Sequence, residues 1–424
     1  MTVLPPGPRE PAALQTVEWI VRPTALLRRA QARYGEPFTL RTAWSDAPMV
    51  LVSDPEEIKR VYGAPAGVLR GGESAGFMEP FTGASSILIL HGDEHLRQRR
   101  LMLPPFHGEA LKRWTATMAE IAHAELDTWT PGKPLHGRER MQRLTLEVIL
   151  RVVFGSRDDE LRAALRAALD MTSSTPKLIA MSLTGPTPAF KRAVARVDAL
   201  VYARITAARR APRAPAAGGN GDAPAPGAGS ILDLLVATEA TDRELRDQLV
   251  TLLAAGHETT ATALAWALER LARHPNALAQ CRDDAYLDAT VKEVLRVRPV
   301  LSITSRKTLQ PYPLGGYTLP LGVYVSPCLY LAHRRPELWP DPTTFRPERF
   351  LEGQPEPYSW VPFGGGTRRC LGASFASLEM REVLRAVASR FTLRPDRVQG
   401  ERMRRRSVTL APARGGIVIA TPLA

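Results

Sequence analysis

Cysteine is scarce in this chain of 424 residues, which contains only Cys281, Cys328 and Cys370. The count is odd and no two of them form a CxxC pair, which argues against a disulfide framework and against a structural zinc site. Free thiols are typical of a reducing compartment, so we expect a cytoplasmic protein. Cys281 and Cys328 lie in ordinary helix-like and strand-like sequence and are predicted to be inert core residues. Cys370 differs from them in its neighbours.

Long apolar runs are also missing. No stretch of roughly 18 or more apolar residues occurs, and this predicts that the chain has no transmembrane anchor. The first residues, Met1 to Pro11, are rich in proline and lack the charged and then apolar order of a secretory signal. With 44% hydrophobic and 23% charged residues, the composition is otherwise that of a globular protein.

Lysine is the other scarce residue, with 7 lysines against 49 arginines and a formal net charge of +13. The arginines are scattered along the chain, which indicates a coding bias rather than the phosphate-binding stripe of a nucleic-acid protein. We therefore expect no nucleic-acid partner. Short basic clusters fit a docking surface for an acidic protein instead. The residues expected on that surface are Arg97, Arg100, Lys112, Arg113 and Arg369.

Helical periodicity dominates the chain, and a β-like region extends from Val300 to Pro327. A capping box at Thr241–Glu244 opens an apolar pattern that continues to about Arg273. A helix of ~32 residues would be about 48 Å long and would cross a whole domain. The stretch 211–229 is almost entirely Ala, Pro and Gly, and is predicted to be a flexible loop within a single domain of residues 1–424. The predicted fold class is mainly α with a minor β part.

The run from Phe363 to Gly372 contains three consecutive glycines, two arginines and then Cys370. Glycines let the backbone approach another group closely or adopt positive φ. The cysteine lies where the loop is predicted to become a helix, and the helix N-terminus together with Arg368 and Arg369 should lower its thiol pKa. Such a thiolate suits a nucleophile, a metal ligand or a redox centre. A phosphate-binding loop and a plain structural turn are the competing interpretations.

A second segment, Ala254–Thr260, lies inside the long predicted helix and collects small residues, an acid and two hydroxyls. Glycine in a buried helix costs about 1 kcal/mol relative to alanine, and threonine hydroxyls compete for backbone carbonyls. The segment therefore fits a helix that yields locally beside a pocket. The alternative is a helix-packing notch with a solvent-exposed glutamate.

A third segment places Glu293 and Arg296 three residues apart, and therefore on one helix face. Pairs with this spacing are usually weak surface salt bridges. The neighbouring Val291, Val294 and Val297 favour partial burial here. Taken alone, the pair says little about function.

Together the three segments resemble, in their order and spacing, the cytochrome P450 family. The family's haem-binding run, Phe-x-x-Gly-x-Arg/His-x-Cys-x-Gly, matches Phe363–Gly372. Its oxygen-activating motif, Ala/Gly-Gly-x-Asp/Glu-Thr, matches Ala255–Thr259. Its Glu-x-x-Arg motif matches Glu293–Arg296, and its Pro-Glu-Arg-Phe segment supplies Arg349. The segments Leu4–Pro8, Tyr34–Gly35 and His91–Gly108 look like a soluble bacterial branch, known from cyanobacteria and myxobacteria, that includes fatty-acid and terpene hydroxylases.

The resemblance implies the cytochrome P450 fold, with haem b held between the long central helix and the helix that follows the cysteine loop. Cys370 would be the thiolate ligand of the iron, and Glu258 and Thr259 would deliver protons to bound oxygen. The remaining expected cofactor contacts are His95, Arg99, Ala255, Arg306, Phe363, Gly364, Arg368 and Gly372. Those expected to pair with the haem propionates are His95, Arg99, Arg306 and Arg368. The expected buried charge cluster is Glu293, Arg296 and Arg349.

The resemblance also implies a haem-thiolate monooxygenase that inserts one oxygen atom from O2 into an apolar substrate, such as a fatty acid, terpenoid, steroid or polyketide. The expected pocket residues are Phe77, Met78, Leu178, Ile179, Leu252, Val300, Ile303 and Val408. Electrons would reach a monomeric enzyme from a ferredoxin and a ferredoxin reductase, so NAD(P)H would act only indirectly. A peroxide-using or isomerising haem-thiolate enzyme and a non-catalytic haem-binding or sensing module stay open. The adjacent Glu258 and Thr259 favour O2 activation over peroxide use.

Overall fold

The structure is a computed structural model that describes residues 3–43, 45, 47–172, 177, 181, 184–211 and 229–423. Two expected pocket residues, Leu178 and Ile179, and most of the Ala/Pro/Gly-rich stretch 211–229 lie outside the described residues. Helices dominate the described part and the sheets are small, so the predicted fold class is confirmed. Of the helices that the structure describes, none has the length and apolar character needed to cross a membrane.

Several helices begin at capping residues that the sequence provides. Asp54, for example, caps the third helix, because its carboxylate accepts the N–H groups of Glu56 and Glu57 and Pro55 stands at the first helical position. In chain order the helices are α1 (Ala12–Val21), α2 (Pro23–Tyr34), α3 (Pro55–Gly63), α4 (Glu79–Thr82), α5 (Gly92–Met102), α6 (Gly108–Lys112), α7 (Thr115–Asp127), α8 (Gly137–Phe154), α9 (Asp159–Thr172), α10 (Pro188–Arg210), α11 (Ile231–Val236), α12 (Asp242–Leu271), α13 (Pro275–Gln280), α14 (Asp284–Val297), α15 (Leu329–Ala332), α16 (Arg349–Glu352) and α17 (Ala373–Arg390).

The strands form small sheets at the edges of the helical body. They are β1 (Phe38–Leu40), β2 (Met49–Val52), β3 (Leu69–Arg70), β4 (Pro134–His136), β5 (Arg306–Thr308), β6 (Tyr312–Leu314), β7 (Tyr317–Leu319), β8 (Tyr324–Pro327), β9 (Phe391–Pro395), β10 (Met403–Arg406), β11 (Thr409–Pro412) and β12 (Ile417–Pro422). The largest sheet has the order β1-β2-β8-β5-β3, in which only β2 and β8 pair in parallel. The other sheets are β4-β12-β9, β10-β11 and β6-β7, all antiparallel. The β-like region from residue 300 to 327 therefore divides between two sheets.

Helix α12 lies at the centre of the fold. Its N-terminus carries the predicted capping box, in which Thr241 accepts the N–H of Glu244 and the Glu244 carboxylate accepts the N–H of Thr241. The helix ends at Leu271, two residues before the predicted end, just ahead of the His274–Pro275 step that disfavours helix. Its 30 residues are buried along most of their length, chiefly against α8 and also against α10, α17 and β11.

Polar side chains of α12 hold the loop of residues 83–91, which connects α4 to α5. The Asp247 carboxylate accepts the N–H of Ser85 at 2.9 Å. The Gln248 side chain donates to the carbonyl of Ser85 at 2.6 Å and accepts the N–H of Ile87 at 3.2 Å. Gly83 approaches so closely, at φ +82°, that a Cβ there would lie 2.0 Å from Asp247 Oδ1. This loop is therefore fixed to the helix.

The Glu293 and Arg296 pair is fully buried, unlike most pairs with this spacing, which lie at the surface. The guanidinium binds the carboxylate through two hydrogen bonds of 2.7 and 2.8 Å, and both side chains are 0% exposed. Arg296 also donates to the carbonyls of His333 and Pro342, both at 2.8 Å. Arg349 Nε lies 3.2 Å from Glu293 Oε1. The pair therefore joins α14 to the irregular segment that leads to the cysteine loop.

We expect the substitution Arg296→Met to lower the free energy of unfolding by about 3–5 kcal/mol, because it leaves the Glu293 carboxylate buried without its main partner. Urea denaturation followed by circular dichroism measures the change. The control is Lys292→Met on the same helix, because Lys292 pairs with Asp288 at a partly exposed site and its loss should cost at most about 1 kcal/mol. Equal effects of the two substitutions would contradict the prediction.

Candidate functional site

The cysteine loop forms a compact turn that ends at a helix N-terminus, as predicted. Cys370 follows a 3-10 turn at Gly366–Arg368 and precedes α17, whose N-cap is Gly372. Its backbone N–H donates to the carbonyl of Phe363 at 2.9 Å, which closes the loop. The backbone N–H of Gly372 interacts with the Cys370 sulfur. This contact fixes the sulfur relative to the first turn of α17.

The expected low pKa of Cys370 is not found, because desolvation outweighs the favourable charges. Burial raises the pKa of the thiol, and the Gly372 N–H, Arg369 and Arg99 lower it by less. The side chain is nevertheless exposed at its surface. The Cys370 thiol is thus reachable by solvent and yet surrounded closely enough by protein to be desolvated. This combination indicates that it faces an internal cleft. Such a thiol is ionised most effectively by a metal cation bound to its sulfur.

In the segment Ala254–Thr260, α12 remains helical. The Thr259 hydroxyl donates to the carbonyl of Ala255 at 2.7 Å, and the Thr145 hydroxyl of α8 donates to the carbonyl of His257 at 2.9 Å. A Cβ on Gly256 would lie 3.2 Å from Ile149 Cδ1 of α8. The glycine therefore forms the packing notch that was the alternative interpretation of this segment.

Glu258 points towards α8. Its carboxylate forms a salt bridge of 2.7 Å with Arg138 and accepts a hydrogen bond from Gln142. Its neighbour His257 is buried, with Nδ1 3.0 Å from the carbonyl of Leu253, and burial lowers its pKa. Arg138 and Gln142 were missed at the sequence level, because neither belongs to a motif and only the packing of α8 on α12 brings them to Glu258.

The structure brings His95, Arg99, Arg306 and Arg368 together. Burial lowers the pKa of His95 to about 4, and repulsion from Arg368, Arg99 and Arg306 adds to the effect. Burial also lowers the pKa of Arg368 to about 10, again with repulsion from Arg306 and Arg99. The pKa values of Arg99 and Arg306 are lowered mainly by burial. The three guanidinium groups and the neutral imidazole of His95 therefore form one desolvated cluster whose net charge is positive, called the positive cluster below.

This positive cluster fits an anionic group. Among the residues that the structure describes, no carboxylate forms an ion pair with His95, Arg99, Arg306 or Arg368. Arg368 donates through Nη1 to the carbonyl of Leu88 at 3.2 Å, but its Nη2 is buried without a hydrogen-bond partner. Buried cations without carboxylate partners are costly. The cluster and Cys370 together suit a haem, which carries two propionates and an iron.

The expected pocket residues are only partly brought together. Leu252 is buried on α12, and Met78 and Val300 pack against the same core. The carbonyl of Val300 accepts the N–H of Leu410 at 2.7 Å, which places Val300 beside the turn that carries Val408. Phe77 is 38% exposed, and Ile303 packs against a separate hydrophobic cluster that includes Trp19, Phe38 and Cys328. Of the expected pocket residues, Leu252, Met78 and Val300 are therefore the ones that pack in the same core, and they are called the apolar wall below.

The expected docking cations differ in their availability. Arg97 contacts Glu94 at 3.0 Å and also Glu244, and Lys112 contacts Glu109 at 2.7 Å. Arg113 is half-buried. The two side chains that are exposed and have no ion pair within the described ranges are Arg100 and Arg369. Arg99, the neighbour of Arg100 in the chain, lies near Arg369. The pKa of Arg99 is lowered mainly by burial and further by repulsion from Arg369.

Comparisons with known proteins find relatives that match almost the whole chain. The family model described as Cytochrome P450 matches residues 5–419. Cytochrome P450 135B1 of Mycobacterium tuberculosis is 39% identical over 436 residues, which cover 97% of this chain and 90% of that protein. Cytochrome P450 135A1 of the same organism is 35% identical, with coverages of 98% and 94%.

Solved structures show the same fold. The retinoic acid-bound cyanobacterial protein CYP120A1 superposes with a TM-score of 0.84 at 22% identity, with both chains covered to 100%. CYP175A1 of Thermus thermophilus superposes with a TM-score of 0.75 at 27% identity, with 95% of each chain covered. The fold that carries the positive cluster and the cysteine loop is therefore shared with these solved structures.

The depressed pKa of His95 predicts how stability depends on pH in the haem-free protein. The folded value is about 4, against 6.5 for the free side chain, so the unfolded chain binds the proton more readily. Stability should therefore fall as the pH drops from about 6.5 towards 4, by at most about 3 kcal/mol. Thermal unfolding across this range measures the loss. His95→Gln should flatten the profile, and identical profiles for the two proteins would contradict the prediction.

Proposed function

The chain belongs to the cytochrome P450 family and is a monooxygenase of that family, and from this premise we propose that it hydroxylates an apolar substrate with O2 at a haem b ligated by Cys370. The observation that carries the proposal is the proximity of an unpaired positive cluster to a cysteine at a helix N-terminus. The cluster supplies partners for two carboxylates, and the cysteine supplies a ligand for iron.

The residues divide the work of holding the haem. His95, Arg99, Arg306 and Arg368 bind the propionates through charge-assisted hydrogen bonds, and the unpartnered Nη2 of Arg368 gains an acceptor. Cys370 binds the iron, while the Gly372 N–H moderates the charge on its sulfur. When bound, a haem with a thiolate ligand supplies oxygen activation, because the thiolate pushes electron density towards the iron. The other residues assigned to contact the haem are Ala255, Phe363, Gly364 and Gly372.

Glu258 and Thr259 form the route by which protons enter. The Thr259 hydroxyl is oriented by its bond to the carbonyl of Ala255, which leaves its oxygen free to accept a further hydrogen bond. The Glu258 carboxylate lies on another face of α12, bound to Arg138 and Gln142. It collects a proton there and passes it to the Thr259 side through water, because side chains adjacent in sequence on a helix diverge.

The substrate is apolar and fairly large, such as a fatty acid, terpenoid, steroid or polyketide. The pocket residues with the most structural support are Leu252, Val300 and Met78. Each belongs to, or packs against, the central core around α12. Val408 is drawn to the apolar wall by the hydrogen bond between Leu410 and Val300. A mostly apolar lining excludes water and binds such substrates through buried area.

Electrons come from NAD(P)H through a ferredoxin reductase and a ferredoxin that docks near the cysteine loop. Arg100 and Arg369 form the centre of the docking surface, because both are exposed and lack an ion pair among the described residues. Arg97 contributes less than the sequence suggests, because Glu94 and Glu244 neutralise it. An acidic ferredoxin complements this surface electrostatically.

The replacement Cys370→Ala tests the ligand. We expect the reduced, carbon monoxide-bound parent protein to show the Soret band typical of thiolate ligation, and the variant to lose it, because alanine removes the sulfur that Cys370 supplies to the iron. Absorption spectroscopy measures the band. Cys281→Ala is the control, because that buried thiol contacts Thr290 and its loss should leave the spectrum unchanged. A histidine-type spectrum in the folded parent would exclude thiolate ligation.

Charge reversal at Arg100 and Arg369 tests the docking surface. We expect the double variant Arg100→Glu/Arg369→Glu to slow reduction by an acidic ferredoxin about tenfold or more at low ionic strength, and less at high salt, because steering is screened. Stopped-flow reduction measures the rate. Arg196→Glu on α10, where Arg196 contacts Glu160, is the control. Unchanged reduction rates in the double variant would refute this surface.

A further inference from the structure

Tyr62 lies between the two halves of the haem site, although no motif includes it. It belongs to the last turn of α3 and is only 4% exposed. Its ring packs in a small core with Ile58, Leu329 and Val361, and Tyr358 lies 6.4 Å away between ring centroids. This core joins α3 to the segment that enters the cysteine loop. Tyr62 is therefore anchored in a rigid part of the protein.

The glycines of the cysteine loop pack directly on Tyr62. A Cβ on Gly365 would lie 2.3 Å from Cδ2 of the Tyr62 ring, and a Cβ on Gly366 would lie 2.1 Å from the Tyr62 carbonyl oxygen. No side chain fits at such distances, because the obstructing atoms are a rigid ring and the backbone. The glycine run thus makes room for Tyr62, and the loop that carries Cys370 is seated on this residue.

The other side of Tyr62 contacts the positive cluster. The guanidinium of Arg306 lies over the ring, 5.8 Å from its centroid, which is a favourable cation–π geometry. The Tyr62 hydroxyl forms a hydrogen bond of 2.9 Å with the hydroxyl of Thr304, two residues before Arg306. One side chain therefore touches both the loop of the metal ligand and a cation that binds a propionate.

We propose that Tyr62 is a positioning residue that sets the spacing between the Cys370 loop and Arg306. The inference rests on the proposed function, because it requires Cys370 to ligate the iron and Arg306 to bind a propionate. The ring does the positioning, since it contacts Gly365 and Arg306, whereas the hydroxyl only orients Thr304. Loss of the ring should loosen both attachments of the haem at once.

The test compares Tyr62→Leu with Tyr62→Phe in the haem-loaded protein. Tyr62→Leu should release haem to apomyoglobin about tenfold faster, as expected for loss of a residue that supports metal ligands, and should convert part of the carbon monoxide complex to the form without thiolate ligation. Tyr62→Phe keeps the ring and should retain the thiolate-type band and release haem at nearly the parent rate.

The matched control is Tyr286→Leu, which removes a similarly buried tyrosine from α14. The hydroxyl of Tyr286 lies 2.6 Å from the Glu348 carboxylate. It should lower the melting temperature without changing the spectrum or the rate of haem release. If Tyr62→Leu behaves like this control, Tyr62 is only a core residue and the inference is wrong. If the parent protein itself lacks the thiolate-type band, the proposed function fails, and that outcome is distinct.

A second pair of variants covers the case in which Tyr62→Leu does not fold. The backbone of Gly365 is extended, with φ −158°, so Gly365→Ala introduces no backbone strain and only the clash with the ring. Gly365→Ala alone should lose the thiolate-type band, and the double variant Gly365→Ala/Tyr62→Ala should recover part of it, because the obstructing ring is gone. Partial recovery supports the inference. A double variant as impaired as Gly365→Ala contradicts it, and so does full recovery, because full recovery would mean that the ring is not needed.

Discussion

The burial of α12 along most of its length is the constraint on which the rest of the structure depends. A helix satisfies its own backbone, but each buried polar side chain needs a partner from a neighbouring element. Asp247 and Gln248 find theirs in the loop at Ser85, and Glu258 finds its partner in Arg138 of α8. These contacts fix the loop and α8 relative to the helix. None of these contacts involves Thr259, the residue to which we assign a role in proton delivery.

The positive cluster is the second organising feature. Its residues destabilise the protein when no anion is bound, whereas the paired side chains of α12 stabilise it. On α12 the carboxylates of Asp247 and Glu258 are paired with arginines. His95 and Arg368, by contrast, are desolvated beside Arg99 and Arg306, and both lose affinity for their protons. Mutual repulsion of buried cations costs stability in the protein alone. A dianionic ligand removes this cost, so its binding and the stability of the fold are coupled. Tyr62 extends the coupling, because it links Arg306 in this cluster to the cysteine loop.

The sequence predicted some parts of the site well and others badly, for physical reasons that differ. The cap at Thr241 and the helix start after Cys370 are local, so they could be predicted from neighbouring residues. The thiol pKa was predicted in the wrong direction, because desolvation depends on the whole surrounding fold. Arg97 was expected on the docking surface, but Glu244, which is distant in sequence, forms an ion pair with it. Its pairing arises from tertiary contact alone.

Local patterns in the chain were sufficient to predict the family, the mainly α fold and the helix that follows Cys370, because motifs and periodicity depend on residues that are close together in the chain. Tertiary structure alone decided what each motif contacts. It paired Glu258 with Arg138, buried the pair of Glu293 and Arg296, and seated the glycine run on Tyr62. Such contacts join residues that are far apart in the chain, and their energies depend on burial and distance, which no local pattern specifies.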